Sequence, residues 1–218
     1  MILKLVTPPA GEPVSLDEAK RHLRIDIDDD DLLIGGLITA AREVCELQSR
    51  RALLTQAYDL VLEAWPGDDR LYQRTQMHPY QLRTSLQLWP RPVLPIKLPR
   101  PPLQTVSSVT YTDYAGITNS LATTDYIVDA DSEPGRVLPA YNKMWPSAVL
   151  QPGPAIRVRF TCGYGAASAV PQIYKQALLL LVGHFYENRE EVVVSGNVNM
   201  VQLPMAVESL LALDRGWW

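Results

Sequence analysis

Residues 155–188, AIRVRFTCGYGAASAVPQIYKQALLLLVGHFYEN, change period in the middle, and that change decides the fold. Ile156, Val158, Phe160 and Cys162 alternate with Arg157, Arg159 and Thr161, the period of a strand with one covered face. Gly163-Tyr164-Gly165 then turns the chain out of the sheet. Pro171 suits a first helical turn. Ile173, Ala177, Leu180, Leu181 and His184 recur along one side of a helix running to about Asn188. The reverse switch comes near Ala57, where Tyr58, Leu60 and Leu62 begin to alternate with Asp59, Val61 and Glu63. Between the switches lie further short strands. Val106 to Asp113 is rich in β-branched residues and turns at Ala115-Gly116 into Ile117–Leu121, a hairpin. Tyr126–Asp129 and Arg136–Leu138 flank Glu133-Pro134-Gly135.

Helical signals precede the first switch. Ser15-Leu16-Asp17-Glu18 is a capping box for a helix from Leu16 to about Arg24, with Leu16, Ala19 and Leu23 as its stripe. A longer helix is expected from near Asp28 to about Arg51. Leu33, Leu37, Ala41 and Val44 form its stripe, widened by Ile34, Ile38 and Cys45. Gly35-Gly36 inside it costs ~1 kcal/mol per glycine against alanine and suggests a close backbone contact or a kink. Pro204 opens a last helix through Leu213, with Val207, Leu210 and Leu211 apolar. The expected class is therefore α+β. A helical domain built from both terminal segments (1–56 and 163–218) carries an inserted small antiparallel β-domain (57–162), itself bearing an extra loop at 67–97.

The composition suits a globular chain: 218 residues, 47% hydrophobic, 20% charged. A chain of this size buries ~70% of its unfolded surface and needs neither metal nor disulfide to hold. The formal charge of −4 gives no overall basic face for gripping nucleic acid. Cys45 and Cys162 lack CxxC spacing and read as two reduced, buried thiols. Met1 to Val6 is too short for a signal peptide, and no apolar run approaches the ~20 residues of a membrane span.

The candidate chemistry is sparse. Asp28, Asp29, Asp30 and Asp31 are consecutive, whereas calcium loops alternate their ligands and place a glycine at the turn. The run reads as N-capping plus favourable charge at a helix N-terminus, worth ~0.3–1 kcal/mol per acid. His22, His78 and His184 share no metal spacing, and GxSxG, P-loop and GxGxxG patterns are absent. Gly67 to Lys97 holds Arg70, Arg74, Arg83, Arg91 and Lys97 with Tyr72, Tyr80 and Trp89 against only Asp68 and Asp69. Such a mixture serves nucleic-acid binding, a protein interface or a plain solvated loop. The interface reading is favoured, with Arg83, Trp89 and Arg91 as its contact residues. Trp217 and Trp218, just past Gly216, would be a liability on a free tail and are typical of binding hot spots.

An ordered series of segments resembles a known family. Leu5-Val6-Thr7-Pro8-Pro9, Glu12-Pro13-Val14-Ser15-Leu16-Asp17-Glu18-Ala19-Lys20 and His22-Leu23-Arg24 are similar to the start of phage head–tail connector (adaptor) proteins. Leu98-Pro99-Arg100-Pro101-Pro102-Leu103-Gln104, Val109-Thr110-Tyr111, Ser132-Glu133-Pro134-Gly135-Arg136, the stretch Gln176 to Glu190, and Leu203-Pro204 continue the series. About thirty residues after Trp65-Pro66 depart from the pattern, well beyond the usual ~4–6 of a connection. The resemblance implies a non-enzymatic ring subunit, typically one of twelve, in the virion beneath the portal protein. It would extend the DNA channel, with DNA passing unbound, and carry the next neck or tail-completion protein. No cofactor, metal or membrane is implied. Arg215, Trp217 and Trp218 would dock on the portal, and Asp28 to Asp31 would be an acidic, channel-facing helix start. A DNA-binding protein using the Arg-rich insertion, or a phage hydrolase, are the alternative readings.

Overall fold

The structure is a computed structural model that describes residues 1–67, 94–188, 204–212 and 214. The described residues form α1 (Leu16–Leu23), α2 (Asp31–Ser49), α3 (Gln172–Glu187) and α4 (Met205–Ala212). The strands are β1 (Ile2–Thr7), β2 (Gln56–Leu62), β3 (Ile96–Lys97), β4 (Leu103–Thr112), β5 (Thr118–Ser120), β6 (Tyr126–Asp129), β7 (Arg136–Pro139) and β8 (Ile156–Cys162). The fold is α+β. The chain divides into a strand unit (1–6, 57–98, 103–161) and a helical unit (7–56, 99–102, 162–218).

In the strand unit, one sheet has the order β1-β2-β8-β4-β5 and a second the order β3-β7-β6. The β4–β5 hairpin is antiparallel, pairing Tyr111 with Asn119, and Gly116 takes φ +81° at its turn. β6 and β7 pair antiparallel, Val128 opposite Val137. The alternation in β8 is complete: Ile156, Val158, Phe160 and Cys162 are buried and Arg157 and Arg159 are not. Tyr58 and Leu60 of β2 are buried as their period requires, and so is Asp59, which the period assigned outward. Its carboxylate accepts from Arg159 Nε (2.8 Å) and Nη2 (2.9 Å), so an ion pair replaces solvent. Trp65 stacks on Trp145, centroids 4.8 Å apart, with Tyr111 edge-on. The first six residues, expected within the helical segment 1–56, fall in the strand unit instead. They pair with β2, since an apolar strand satisfies its backbone in a sheet and not beside helices.

In the helical unit, the capping box forms as read: Glu18 N donates to Ser15 Oγ (3.2 Å) and Ser15 N to Glu18 Oε2 (2.8 Å). α3 packs on α1, α2 and α4. The buried stripe of α2 is Ile34, Ile38, Ala41 and Cys45 with Arg42, Glu46 and Ser49, while Leu37 and Val44 lie at its margin and Leu33, expected in the stripe, is exposed. α3 buries Tyr174, Ala177, Leu178, Leu181 and Val182, a face turned from the expected one, with Ile173 and Leu180 only partly covered. Each fully buried large side chain contributes ~1.5–3 kcal/mol. Gly35 and Gly36 make neither a close contact nor a break: a Cβ at either would meet nothing within 4 Å, and α2 runs through them.

Within the helical unit, the Pro99–Pro102 stretch is tied down by three hydrogen bonds. Arg100 Nη1 donates to Glu46 O (2.5 Å), Ala52 N to Pro101 O (3.1 Å) and Gly163 N to Pro102 O (2.8 Å). Gly163 follows β8 with φ +114°, and a Cβ there would lie 2.0 Å from Leu54 O, so only glycine fits the turn.

Candidate functional site

The acidic run does not cap α2 as expected. α2 starts at Asp31, and the side chain of its N-cap residue, Asp30, makes no capping bond. The acids reach across the helical unit instead. Lys20 Nζ donates to Asp28 Oδ1 (2.6 Å) and Asp31 Oδ1 (2.8 Å), and Tyr186 Oη donates to Asp30 Oδ2. Lys20 holds the Asp28 carboxyl below the usual range, and the two acids raise the lysine in turn. A cation from α1 and a phenol from α3 reach the acids first, because α1 and α3 pack where the turn before α2 begins. Ile27 and Leu32 lie beside the acids and are exposed, Leu32 to 94%.

A buried polar chain runs along α2. Glu12 accepts from Thr39 Oγ1 (2.9 Å) and Arg42 Nε (2.8 Å). Arg42 Nη1 reaches Glu46 Oε2 (3.4 Å), and Glu46 Oε1 accepts from Leu53 N (2.9 Å) and Gln56 Nε2 (2.5 Å). Burial pushes the Glu46 carboxyl up, against the pull of the Leu53 amide and Arg42. Cys45 and Cys162 are buried and free, their thiols pushed by burial up to about 12. The whole chain of groups is satisfied internally, so it reads as fold specification and not as chemistry. One signal could have found it: Arg42 and Glu46 sit four apart within an otherwise apolar helix face.

Asp214 is held by Arg51 and Tyr174. Arg51 Nε donates to Asp214 O (3.0 Å) and its Nη2 to Asp214 Oδ1 (2.8 Å); Tyr174 Oη donates to Asp214 Oδ2 (2.8 Å). Desolvation and the Asp214 carboxylate raise the Tyr174 phenol well above its ordinary value. The expected docking residues Arg215, Trp217 and Trp218 follow directly, and lie outside the described residues. So do Arg83, Trp89 and Arg91, and His78.

Among the described residues, no group of three His, Cys, Asp or Glu side chains could hold a metal, and no helix is long and apolar enough to cross a membrane. His184 faces Phe185 and Asn188, and His22 lies against Gly183. A recess of about 220 Å³ over Val61, Thr110, Thr112, Gln151 and Arg157 brings together hydroxyls, an amide and a guanidinium, with no base beside a nucleophile. Sequence reasoning missed the strand edges. On β1, Ile2, Leu5 and Val6 are exposed, and beside β5 so are Tyr114 and Ile117. The signal was legible in Ile2–Val6, apolar at both parities with one charge.

The family of phage gp6-like head-tail connector proteins matches residues 13–144, more than half of the chain. No curated protein matches. Three solved structures cover the whole chain and 97% of their own. The neck of an empty gene transfer agent (GTA) particle computed with C6 symmetry has a TM-score of 0.72 at 23% identity. The virion of the native GTA particle gives 0.71 at 23%, and the neck of the native particle computed with C12 symmetry gives 0.66 at 24%. At these identities the likeness carries the fold.

Proposed function

The chain belongs to the phage gp6-like head-tail connector family, and from that premise we propose that it is the ring-forming adaptor beneath the portal of a tailed particle. Its role is structural, at the head–tail interface. The observation that carries the ring is the neck-protein fold spanning the chain end to end, found in structures computed with C6 and C12 symmetry. The physical picture agrees: apolar side chains stand uncovered on β1 and around Leu32, as in a subunit that buries them only on assembly. A ring of about twelve would extend the DNA channel and carry the next neck protein on its far side.

DNA would pass without being held. Phosphate grip comes from free Lys and Arg. Here Lys20, Arg42, Arg51, Arg136, Arg157 and Arg159 each face a carboxylate. The acidic turn at 28–31 would face the channel, its excess negative charge repelling the duplex. Arg215, Trp217 and Trp218, next in sequence after the Arg51–Asp214–Tyr174 latch, would dock on the portal. Arg83, Trp89 and Arg91 would contact a neighbour. No enzymatic activity is part of this reading.

Electron microscopy of the purified chain mixed with its portal protein tests the ring: rings stacked on portals are expected, and separate portals with dispersed monomers refute it. Deleting 215–218 should abolish portal binding at unchanged melting temperature. Lost stability instead would assign the tryptophans to the chain's own core.

A further inference from the structure

We propose that the five-stranded sheet continues from subunit to subunit, the β1 edge of one copy adding to the β5 edge of the next. The inference rests on the ring reading and names the surface that closes the ring. Among the described residues, β1 and β5 are the two ends of one sheet. An edge strand on a monomer is normally short, charged, interrupted by proline or covered. β1 has little of this defence. It runs six residues with one charge, Lys4, and no proline before Pro8. Side chains along a strand alternate between faces, so Ile2 and Val6 lie on one face and Leu5 on the other. Ile2 is 62% exposed and Leu5 45%, so neither face is covered. Among the described residues, the outer row of backbone donors and acceptors of β1 and its exposed apolar side chains have no covering strand.

The far end of the same sheet shows what fits. β5 is hydrogen-bonded to β4 on its inner side, and Ile117, 59% exposed, immediately precedes it, with Tyr114 exposed in the turn. That edge is pre-ordered: Asp113 Oδ1 accepts from Ala115 N (3.0 Å) and Ile117 N (2.9 Å), and Ile117 O accepts from Asp113 N (3.0 Å). Two unlike edges on one subunit, the apolar β1 and the polar Thr118–Ser120 led in by Ile117, are what a head-to-tail contact requires, and a head-to-tail contact repeated by rotation closes a ring. Pairing β1 with β1 of a second copy would be self-complementary and stop at a dimer. Strand addition also orients, since backbone hydrogen bonds fix direction and register while side chains supply the buried area.

Cysteines test the pairing in the full chain, assembled alone and on its portal protein. Lys4→Cys combined with Asn119→Cys should, under mild oxidation with copper phenanthroline, give a ladder of covalent multimers reaching the full ring. Each single variant should stay monomeric on a denaturing gel. The native Cys45 and Cys162 are buried and will not compete. Ile2→Lys with Leu5→Lys, both at exposed positions, should raise the concentration needed for assembly at least tenfold (an order-of-magnitude expectation for charges on an edge) at unchanged melting temperature. Covalent dimers from Lys4→Cys alone overturn the proposal in favour of β1–β1 pairing. Rings that assemble without a ladder, or tolerate both lysines, overturn it while leaving the ring reading intact. A wild-type chain that forms no ring, alone or on the portal, removes the ring reading itself and this contact with it.

Discussion

Replacing Gly163 with alanine should destabilise the chain by about 4 kcal/mol or more, and the structure separates the causes. The residue sits at φ +114°, where a side chain costs ~1–3 kcal/mol of backbone strain. The added Cβ would lie 2.0 Å from Leu54 O and 2.4 Å from Leu54 C. Ordinary contact is about 3.5 Å, so one backbone must retreat by roughly 1.5 Å. Leu54 cannot swing aside as a side-chain tip would, because its neighbour Leu53 is fully buried. Retreat stretches Gly163 N to Pro102 O (2.8 Å) and Tyr164 N to Leu53 O (3.3 Å), each worth ~1 kcal/mol net. Against the ~5–15 kcal/mol that holds a typical domain, this is a large fraction. Gly165→Ala is the internal control. Its φ is nearly the same, +112°, but its Cβ would meet only Ala169 Cβ at 3.9 Å. It should lose only the strain, ~1–3 kcal/mol. Urea unfolding of both variants, followed by far-ultraviolet circular dichroism, reads the difference directly. Equal losses would refute the steric part of the reasoning, and a neutral Gly163→Ala would refute the turn geometry.

Two further predictions concern the glycines of α2 and the carboxylate of Asp129. Gly35→Ala and Gly36→Ala should each stabilise by ~0.5–1 kcal/mol in the same urea experiment, since a Cβ meets nothing within 4 Å at either place and alanine is the better helix former; a loss at either would mean that assembly or packing uses the bare backbone. Asp129 accepts from Ser132 Oγ (2.6 Å), Arg136 Nη2 (2.7 Å) and Ser132 N (3.0 Å), which hold its carboxyl at about 2 against an ordinary 3.8. A depressed pKa contributes stability that is present above the ordinary value and lost as pH falls towards the folded one. The melting temperature should therefore fall between about pH 4 and 2, more steeply in the wild type than in Asp129→Asn. Parallel curves would show that the carboxylate adds nothing.

What the sequence determined is whatever repeats within a few residues. The alternation in β8, the capping box at Ser15, the turn at Gly116 and the return to helical spacing after Pro171 were each written in neighbouring side chains, and each is in place. Local sterics and one covered face are enough to set an element's type. What only the tertiary structure decided is who meets whom. α2 and α3 each had more apolar positions than one face can bury, and packing between helices chose Ile34 over Leu33 and Tyr174 over Ile173. Asp59 looked outward by period until Arg159, a hundred residues away, covered it. The acids at 28–31 were read as a cap until Lys20 and Tyr186 reached them. Ile2–Val6 was legible as a short strand or an extended arm, but its place at the edge of a sheet was not. Periodicity records how a segment meets a surface, whereas partners separated by long loops are chosen by the free energy of the whole packing, to which no single window of sequence is sensitive.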